Sequence, residues 1–405
     1  MLWILSTAAA LGLCVLAEMT ARYVIRRRKH YAVFLPGLRL ELHLDRAALP
    51  DLDPVIRFDI NSDGERGAEV RRAERGLYRV LVAGGSAAEG YLLDQEANWP
   101  GVLERILNQD EALHRLGAPR VHVGSVARTS VASRDLDLIL ERVLPQYPRL
   151  DAVVIMVGAS DVLKWLACGA PADAPAPPEP VTGLFACHPE GPYGWSPRRW
   201  ALADLANRWR RRWLRPVEVR YGVGATLAQL RAMRTSAMET RTSVPDPALM
   251  LDNFETCFRQ LLRRATASAR HVLVVRQPWF EKEYTPEELS RFWDGALGQP
   301  WKTPATIYYS ADLINRLMAL VDCRAARVSE ELDLEHVDLK ALIEPSLSTY
   351  YDHWHFTPAG ARLAAEAIAA ALLRDVTQPS QPRRVLAGAR DRTHTAQLQP
   401  ARPDS

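Results

Sequence analysis

The chain has 405 residues, 48% of them apolar, so it can bury the core of one large or two ordinary domains. Its formal net charge is only +3 and no long block of lysine and arginine occurs, which argues against nucleic acid as a partner. The five cysteines show neither C-x-x-C nor mixed Cys/His ligand spacing, so we expect no metal site.

The N-terminal segment predicts a membrane helix. Residues 1–17 carry no charge, and four cations follow at 26–29. An apolar run that continues to residue 25 is long enough to cross a bilayer. The segment lacks the basic start and the A-x-A site of a cleaved signal peptide. We therefore predict a membrane-anchoring helix over residues 1–25, which makes the membrane a partner.

Residues 30–77 predict a small β-rich leader that packs on the main domain. Apolar and polar side chains alternate over 38–44 and again over 57–60, and a turn sequence, Asn-Ser-Asp-Gly, follows at 61–64. Such alternation is typical of strands that bury one face.

Residues 78–375 alternate short apolar runs with longer helical patterns. The predicted strands are 78–84, 120–124, 151–158, 271–275 and 335–339. The predicted helices are 100–108, 133–144, 250–269, 311–330 and 358–374. This alternation predicts the α/β class, as a three-layer α/β/α sandwich on a mainly parallel sheet. Ligands bind such sheets at the carboxyl ends of the strands.

Two segments depart from this alternation. Residues 165–248 form a cap-like insertion with four tryptophans among seven arginines between positions 195 and 215. This cluster can seat on a membrane or hold an anionic sugar, or its tryptophans can be core beneath solvated arginines. Cys168 and Cys187 flank a proline-rich stretch of the insertion and can form a disulfide or stay free thiols. The polar composition of 376–405 predicts a disordered tail.

Residues 352–358, Asp-His-Trp-His-Phe-Thr-Pro, hold a candidate acid–base pair. Thr357 can cap the helix that follows, so Asp352 and His355 fall on the loop before it. At this spacing the carboxylate can accept a hydrogen bond from Nδ1–H of the imidazole and leave Nε2 free as a base. His353 is a rival because it is nearer to Asp352, but the i,i+3 spacing favours His355.

A candidate nucleophile follows the first predicted strand. Gly84 and Gly85 lead into Ser86, which opens a helical segment whose backbone N–H groups stabilise negative charge. A serine next to a base can act as the nucleophile of acyl transfer. A Gly-Gly-Ser turn is also common without any catalytic role, so the inference depends on both motifs occurring in the order Ser, Asp, His.

Together these motifs resemble the SGNH (GDSL-type) hydrolase family. Gly-Gly-Ser after the first strand and Asp-x-x-His before the last helix are the family's first and last motifs. The resemblance covers roughly residues 78–165 and 250–375. It implies that Ser86 is the nucleophile, that His355 is the base, and that Asp352 fixes the tautomer of His355, with no metal or cofactor.

The resemblance also implies an oxyanion hole. The family places a glycine after its second strand, where Gly124 fits, and an asparagine in a Gly-x-Asn-Asp motif after its third. In this chain the third motif reads Gly-Ala-Ser-Asp at 158–161, so Ser160 stands in place of the asparagine. With the backbone N–H of Ser86, these groups would form the hole. Serine is shorter than asparagine, so Ser160 can bond the oxyanion only after a backbone adjustment or through a water. The alternative is a defective oxyanion hole and slow activity.

Three further side chains are predicted to line the substrate pocket. Asp161 ends the third motif, and Arg276 and Gln277 follow the fourth strand at the same edge of the sheet. Plain packing is the alternative for the two residues after the fourth strand.

The resemblance implies a serine esterase that removes a small acyl group, such as acetyl, from a carbohydrate or lipid. An O-acyltransferase acting on envelope polysaccharide would use the same triad, since only the acceptor differs. A non-catalytic carbohydrate-binding protein of this fold is a third alternative, which the serine at position 160 favours.

The side of the membrane is open. All the flanking positive charge follows the N-terminal helix, which by the positive-inside rule leaves the body in the cytoplasm. Relatives with an anchor and a hydrolase domain are expected to face outward, and we place the catalytic domain there.

Overall fold

The computed structural model describes residues 2–70, 74–214, 217–220 and 223–375. Its strands are β1 (Arg39–His43), β2 (Val55–Asp59), β3 (Leu77–Gly84), β4 (Arg120–Ser125), β5 (Leu150–Met156), β6 (Val217–Arg220), β7 (Glu239–Arg241), β8 (Ala269–Arg276), β9 (Ile307–Tyr309) and β10 (His336–Asp338). Its helices are α1 (Leu2–Arg28), α2 (Ser86–Glu89), α3 (Trp99–Leu107), α4 (Asp110–Leu116), α5 (Ser133–Val143), α6 (Ala159–Ala167), α7 (Val181–Leu184), α8 (Ala201–Leu214), α9 (Val223–Thr235), α10 (Ala248–Ser268), α11 (Pro286–Arg291), α12 (Ala311–Glu331), α13 (Leu339–Leu342) and α14 (Pro358–Asp375). The tail predicted over 376–405 lies outside the described residues.

The main sheet has five strands in the order β10-β8-β5-β3-β4, and every neighbouring pair is parallel. The central strand β5 is buried along its whole length. A parallel strand covered on both faces reads as a continuous apolar run, which is why β5 stands out in the sequence. The chain therefore has the predicted three-layer α/β/α architecture.

Alternate residues of the strands face opposite helical layers. In β3, Val80 and Val82 belong to the core that includes α3 and α14. Leu81 and Ala83 belong to the core formed with α5, α10 and α12. The two apolar cores thus fix the helices on both faces of the sheet, and the carboxyl ends of the strands remain available at one edge.

The five strands and five helices predicted between residues 78 and 375 are all present, with ends within two residues of the prediction. Helix α2 is the helical segment that Ser86 was expected to open. Helices α4, α11 and α13 were not predicted, because they are too short to show a helical period in the sequence. The longer α6 was not predicted either.

The leader and the insertion are joined by strand pairing. Antiparallel β1 and β2 come from the leader, and β6 of the insertion adds to β1 in parallel. Strand β7 of the insertion pairs with β9. Of the two cysteines that flank the proline-rich stretch, Cys168 is exposed and Cys187 is buried, and both are free thiols.

Helix α1 is one continuous helix of 27 residues. Its first part exposes apolar side chains, and its last turn contains three arginines. It is long and apolar enough to cross a membrane. It extends three residues past the predicted end at residue 25, because Ala21 and Ile25 pack against α8.

Candidate active site

Ser86 lies at the carboxyl end of β3, in the first turn of α2. The turn depends on close contact with β5: the N–H of Gly85 donates to the carbonyl of Met156 at 3.0 Å. A Cβ on Gly84 would stand 2.1 Å from that same oxygen, so only glycine fits there. The turn leaves Ser86 partly exposed, while the next three residues of α2 are buried.

Asp352 and His355 form a close pair on the loop before α14. Nδ1 of His355 lies 2.9 Å from Oδ1 and 2.8 Å from Oδ2 of Asp352. Oδ1 also accepts the backbone N–H groups of Trp354 and His355, both at 2.9 Å, which locks the carboxylate in place. Burial works against the imidazolium, but the Asp352 carboxylate outweighs it and raises the pKa of His355. The carboxylate thus holds Nδ1, and Nε2 is the atom left for proton transfer.

The aromatic side chains Trp293 and Tyr351 hold this pair, and the sequence analysis did not find them. The indole Nε1 of Trp293 donates to Oδ2 of Asp352 at 2.9 Å. Its ring lies nearly parallel to His355 with centroids 6.4 Å apart, and Tyr351 stacks on His355 at 5.4 Å. Trp293 lies in the loop between α11 and β9, 59 residues before Asp352, so no local motif indicates it.

His353 has a different environment from His355. It is buried, its Nε2 lies 2.9 Å from Oδ1 of Asn315, and its ring stacks on Phe292 at 4.5 Å. Burial, with the positive charge of Arg234, lowers its pKa to about 3. A neutral imidazole packed in the core does not reach a substrate, so the geometry separates the two histidines as the spacing argument predicts.

Ser86 and His355 come from distant parts of the chain. Within the described residues no hydrogen bond joins the Ser86 hydroxyl to His355. Glu89, on the same short helix as Ser86, is one of the carboxylates that raise the pKa of His355. Catalytic hydrogen bonds are often long in unliganded sites and tighten when substrate binds.

Two buried carboxylates flank the pair. Glu89 accepts hydrogen bonds from the backbone N–H and the hydroxyl of Thr129. Burial and the nearby charge of Asp352 raise the pKa of Asp294, whose Oδ2 has no hydrogen-bond partner within the described residues. Asp294 also contributes to the raised pKa of His355. The imidazolium is therefore stabilised by three carboxylates, of which the sequence indicated one.

Ser160 lies next to the turn that carries Ser86. Gly158 adopts φ +147, a conformation that L side chains rarely adopt, and so opens α6. The hydroxyl oxygen of Ser160 is then 3.8 Å from the point where a Cβ on Gly85 would stand. A donor in this place faces the backbone of the nucleophile turn, as an oxyanion-hole residue requires.

Gly124 does not reach this turn. It is an interior residue of β4 opposite Leu81, and a Cβ on it would stand 2.5 Å from the buried carboxylate of Glu65. Leu81 lies three residues, about 10 Å, before the end of β3 at Gly84, and Ser86 comes after that end in α2. The structure therefore places Gly124 within β4, which runs on past it to Ser125, and does not bring it to the nucleophile turn.

The segment that does lie opposite Ser86 has no free backbone donor among Ala127, Arg128 and Thr129. Their N–H groups donate to the hydroxyl of Ser125, the carbonyl of Gly84 and the carboxylate of Glu89. Two candidate donors at the nucleophile turn are the N–H of Ser86 and the hydroxyl of Ser160.

The three predicted pocket residues are engaged elsewhere. Asp161 is buried, and its carboxylate accepts the N–H and hydroxyl of Ser133 at the start of α5. Burial raises the pKa of Asp161 to about 6. Arg276 is held in ion pairs with Asp322 and Asp338, and the amide of Gln277 donates to the next carbonyl at 3.0 Å. Asp161 thus joins α6 to α5, and Arg276 joins β8 to α12 and β10.

No protein-family model matches the sequence, and no curated protein matches it. Among solved structures, the chain is similar to an acetylxylan esterase from Geobacillus stearothermophilus, with 15% identity, TM-score 0.37 and coverage of 74% of this chain and 94% of that one. It is also similar to an aryl esterase of M. smegmatis, with 14% identity, TM-score 0.37 and coverage of 74% and 99%. An α/β hydrolase from the Lake Arreo metagenome matches at 13% identity and TM-score 0.40, with coverage of 73% and 94%.

Proposed function

We propose that this protein is a serine esterase of the SGNH type that removes a small acyl group, such as acetyl, from a carbohydrate or lipid. The observation that carries the proposal is the bond from Nδ1 of His355 to both oxygens of a buried Asp352. This pair lies on the loop before α14, and Ser86 begins the helix that follows β3. A base held in one tautomer and a partly exposed serine are what acyl transfer needs.

In the proposed reaction, Nε2 of His355 takes the hydroxyl proton of Ser86 as Oγ attacks the ester carbonyl. A tetrahedral intermediate forms, and its collapse expels the alcohol, which receives that proton from His355. Water then attacks the acyl-serine, again with His355 as the base, and releases the acid and the free serine. Asp352 stabilises the imidazolium in both halves of the cycle and is not itself protonated.

The oxyanion of this intermediate would be held by the backbone N–H of Ser86 and the hydroxyl of Ser160. A serine in this role is a weaker donor than a fixed amide, because its hydroxyl can rotate to other acceptors. We expect a working but slower hole than one built from three fixed donors, since each donor typically contributes about a hundredfold in rate.

The test is covalent labelling of the full chain in detergent with a fluorophosphonate probe, read by intact mass. The parent protein should gain one adduct, and Ser86→Ala should gain none. Ser130→Ala, which removes an exposed serine from the loop after β4, is the matched control and should label like the parent. An unlabelled, folded parent protein would contradict the proposal and favour the carbohydrate-binding alternative.

A second experiment, on a substrate with a labelled acetyl group, tests whether water or a sugar hydroxyl accepts the acyl group. Release of acetate from an acetylated sugar that is unaffected by added sugar alcohols supports hydrolysis. Acetyl transfer to a sugar hydroxyl in competition with water would replace esterase by acyltransferase while leaving the triad unchanged.

A further inference from the structure

A large cavity lies at the end of the N-terminal helix. It has a volume of about 1370 Å³, and neither Ser86, Asp352 nor His355 lines it. Its walls include the end of α1 at Arg28 and Lys29 and the middle of α8. We call this region the foot cavity.

Helix α8 is fixed to α1 through a carboxylate. Glu18 of α1 accepts the first backbone N–H groups of α8, from Ala201 at 2.9 Å and Leu202 at 3.0 Å. It also pairs with Arg22 one turn later, at 2.8 Å. An acidic side chain within a membrane helix needs such partners. The two helices then run side by side, so the foot cavity keeps a fixed height relative to the apolar part of α1.

The position of the foot cavity along α1 corresponds to the headgroup layer of a bilayer. A span of roughly 20 residues from the start of α1 reaches the edge of the hydrocarbon near Arg22. Trp195 is 79% exposed and lies within cation–π distance of Arg22, 5.7 Å from ring centroid to Cζ. Exposed tryptophans are typical of the membrane interface. Arg28 is six residues farther, about 9 Å along the helix, and so falls among the lipid headgroups.

Two arginines of α8, Arg208 in the wall of the foot cavity and Arg211 behind that wall, have buried N–H groups without a partner within the described residues. Arg208 pairs with Asp204 through Nη2, but its Nε is buried with no partner within the described residues. Arg211, one turn later and packed against Gly37 of the cavity wall, has a buried Nη1 that also lacks one. Buried guanidinium donors are nearly always satisfied, so such donors indicate an absent acceptor.

The carboxylates of the same walls are already engaged. Glu96 pairs with Arg57, Glu104 with His122, and Glu141 with Arg142, while Glu69 accepts from Ser62 and Asp59 faces the charge of Arg66. By contrast, no carboxylate of the described residues pairs with Arg28, Lys29 or Arg39. The free charge of the cavity is therefore positive.

We propose that the foot cavity binds the phosphate headgroup of an anionic membrane lipid, through Arg208 with Arg28, Lys29 and Arg39 around it and with Arg211 beside the wall at Gly37. Guanidinium groups bind phosphate through paired N–H donors, and basic pockets at the end of a membrane helix suit anionic headgroups. A lipid held there would set the orientation of the catalytic domain on the bilayer.

The test uses the full chain, purified in detergent with equal amounts of phosphatidylglycerol and phosphatidylcholine, and measures retained lipid by native mass spectrometry. The parent protein should retain phosphatidylglycerol in preference. Arg208→Gln with Arg211→Gln should reduce that retention about tenfold or more, because charge-assisted hydrogen bonds of 1.5–3 kcal/mol are lost. Arg28→Gln with Lys29→Gln, at exposed positions, tests the same site without disturbing the fold.

The matched control is Arg263→Gln with Arg362→Gln, which removes two exposed cations outside the cavity and should not change retention. Equal retention of both lipids, or retention unchanged by the α8 and α1 variants, overturns the proposal. Binding of inorganic phosphate with no preference between the lipids would overturn the lipid as the source of the anion. None of these outcomes depends on esterase activity.

Discussion

The active site and the foot cavity differ in how their buried charged groups are hydrogen-bonded. The carboxylate of Asp352 has its acceptors filled: Trp293, two backbone N–H groups and His355 all donate to it. At the foot cavity, donors of Arg208 and of Arg211 behind its wall are buried without an acceptor within the described residues. A satisfied cluster is pre-organised to act on a substrate that comes and goes. An unsatisfied cluster of cations needs a bound anion to be stable in the folded protein.

The largest expected effect separates the two histidines beside Asp352. His355→Ala should reduce kcat on an aryl acetate by on the order of 10⁴-fold or more, with little change in thermal stability, because it removes the base. His353→Ala should instead lower the melting temperature, since it removes a buried ring that packs on Phe292. Kinetics and thermal melts on both variants check this, and equal activity of His355→Ala and the parent would contradict the triad.

Ser160→Ala tests whether the Ser160 hydroxyl belongs to the oxyanion hole. If its hydroxyl stabilises the oxyanion, kcat should fall about a hundredfold while KM changes little. Ser160→Asn places the longer donor of the SGNH family there and should restore or raise kcat. The control is Ser329→Ala, a buried serine on α12 whose hydroxyl bonds a helix carbonyl. A kcat of Ser160→Ala equal to that of the control would remove Ser160 from the oxyanion hole.

Trp293→Phe tests whether the aromatic residue positions the Asp352–His355 pair. The variant keeps a ring but loses the donor to Asp352 Oδ2, so kcat should fall about tenfold by loss of one hydrogen bond to a charged group. The carboxylate also becomes a stronger acceptor, so the pKa of His355 should rise and the acid limb of kcat/KM should move to higher pH.

The matched control for Trp293→Phe is Trp165→Phe, which loses an indole bond of 2.9 Å to the carbonyl of Pro171 but does not touch the triad. It should show the same loss of stability and an unchanged pH profile. If the pH profile of kcat/KM is also unchanged in Trp293→Phe, Trp293 only packs against the pair and does not position it.

A smaller effect is expected where α1 meets α8. Glu18→Ala removes the acceptor of two helix N–H groups and should lower the free energy of unfolding by about 1 kcal/mol, the usual cost of a lost cap. Esterase activity per folded molecule should not change, because the site lies at another edge of the domain. Chemical denaturation measures the free energy of unfolding, and titration of active sites gives the activity per folded molecule. A loss of activity without a loss of stability would contradict the independence of the active site from the contact between α1 and α8.

The smallest effect concerns the pH dependence. Because the pKa of His355 is raised above its usual value near 6.5, activity should rise with pH as the imidazolium loses its proton. Asp294→Asn removes one of the carboxylates that stabilise the imidazolium, so the acid limb should move to lower pH by a fraction of a unit. Asp246→Asn, an exposed carboxylate, is the control. An acid limb that moves upward in Asp294→Asn would contradict this account.

Much of the fold and part of the site follow from local sequence. The parallel strands are apolar on both faces and the helices carry 3.6-residue periods, so β3, β5 and α10 can be located within two residues. The Asp352–His355 contact is likewise local, since it spans three residues of one loop. Chain segments that interact with their own neighbours leave a pattern that the sequence shows directly.

The rest required the tertiary structure. Gly124 fits the motif by spacing, but strand register places it against Glu65, and register depends on how β3 and β4 pair. Trp293 reaches Asp352 across 59 residues. The contact of Glu18 with the start of α8 spans 183 residues. Such contacts form only when distant segments pack, and no period or short motif encodes which side chains then meet.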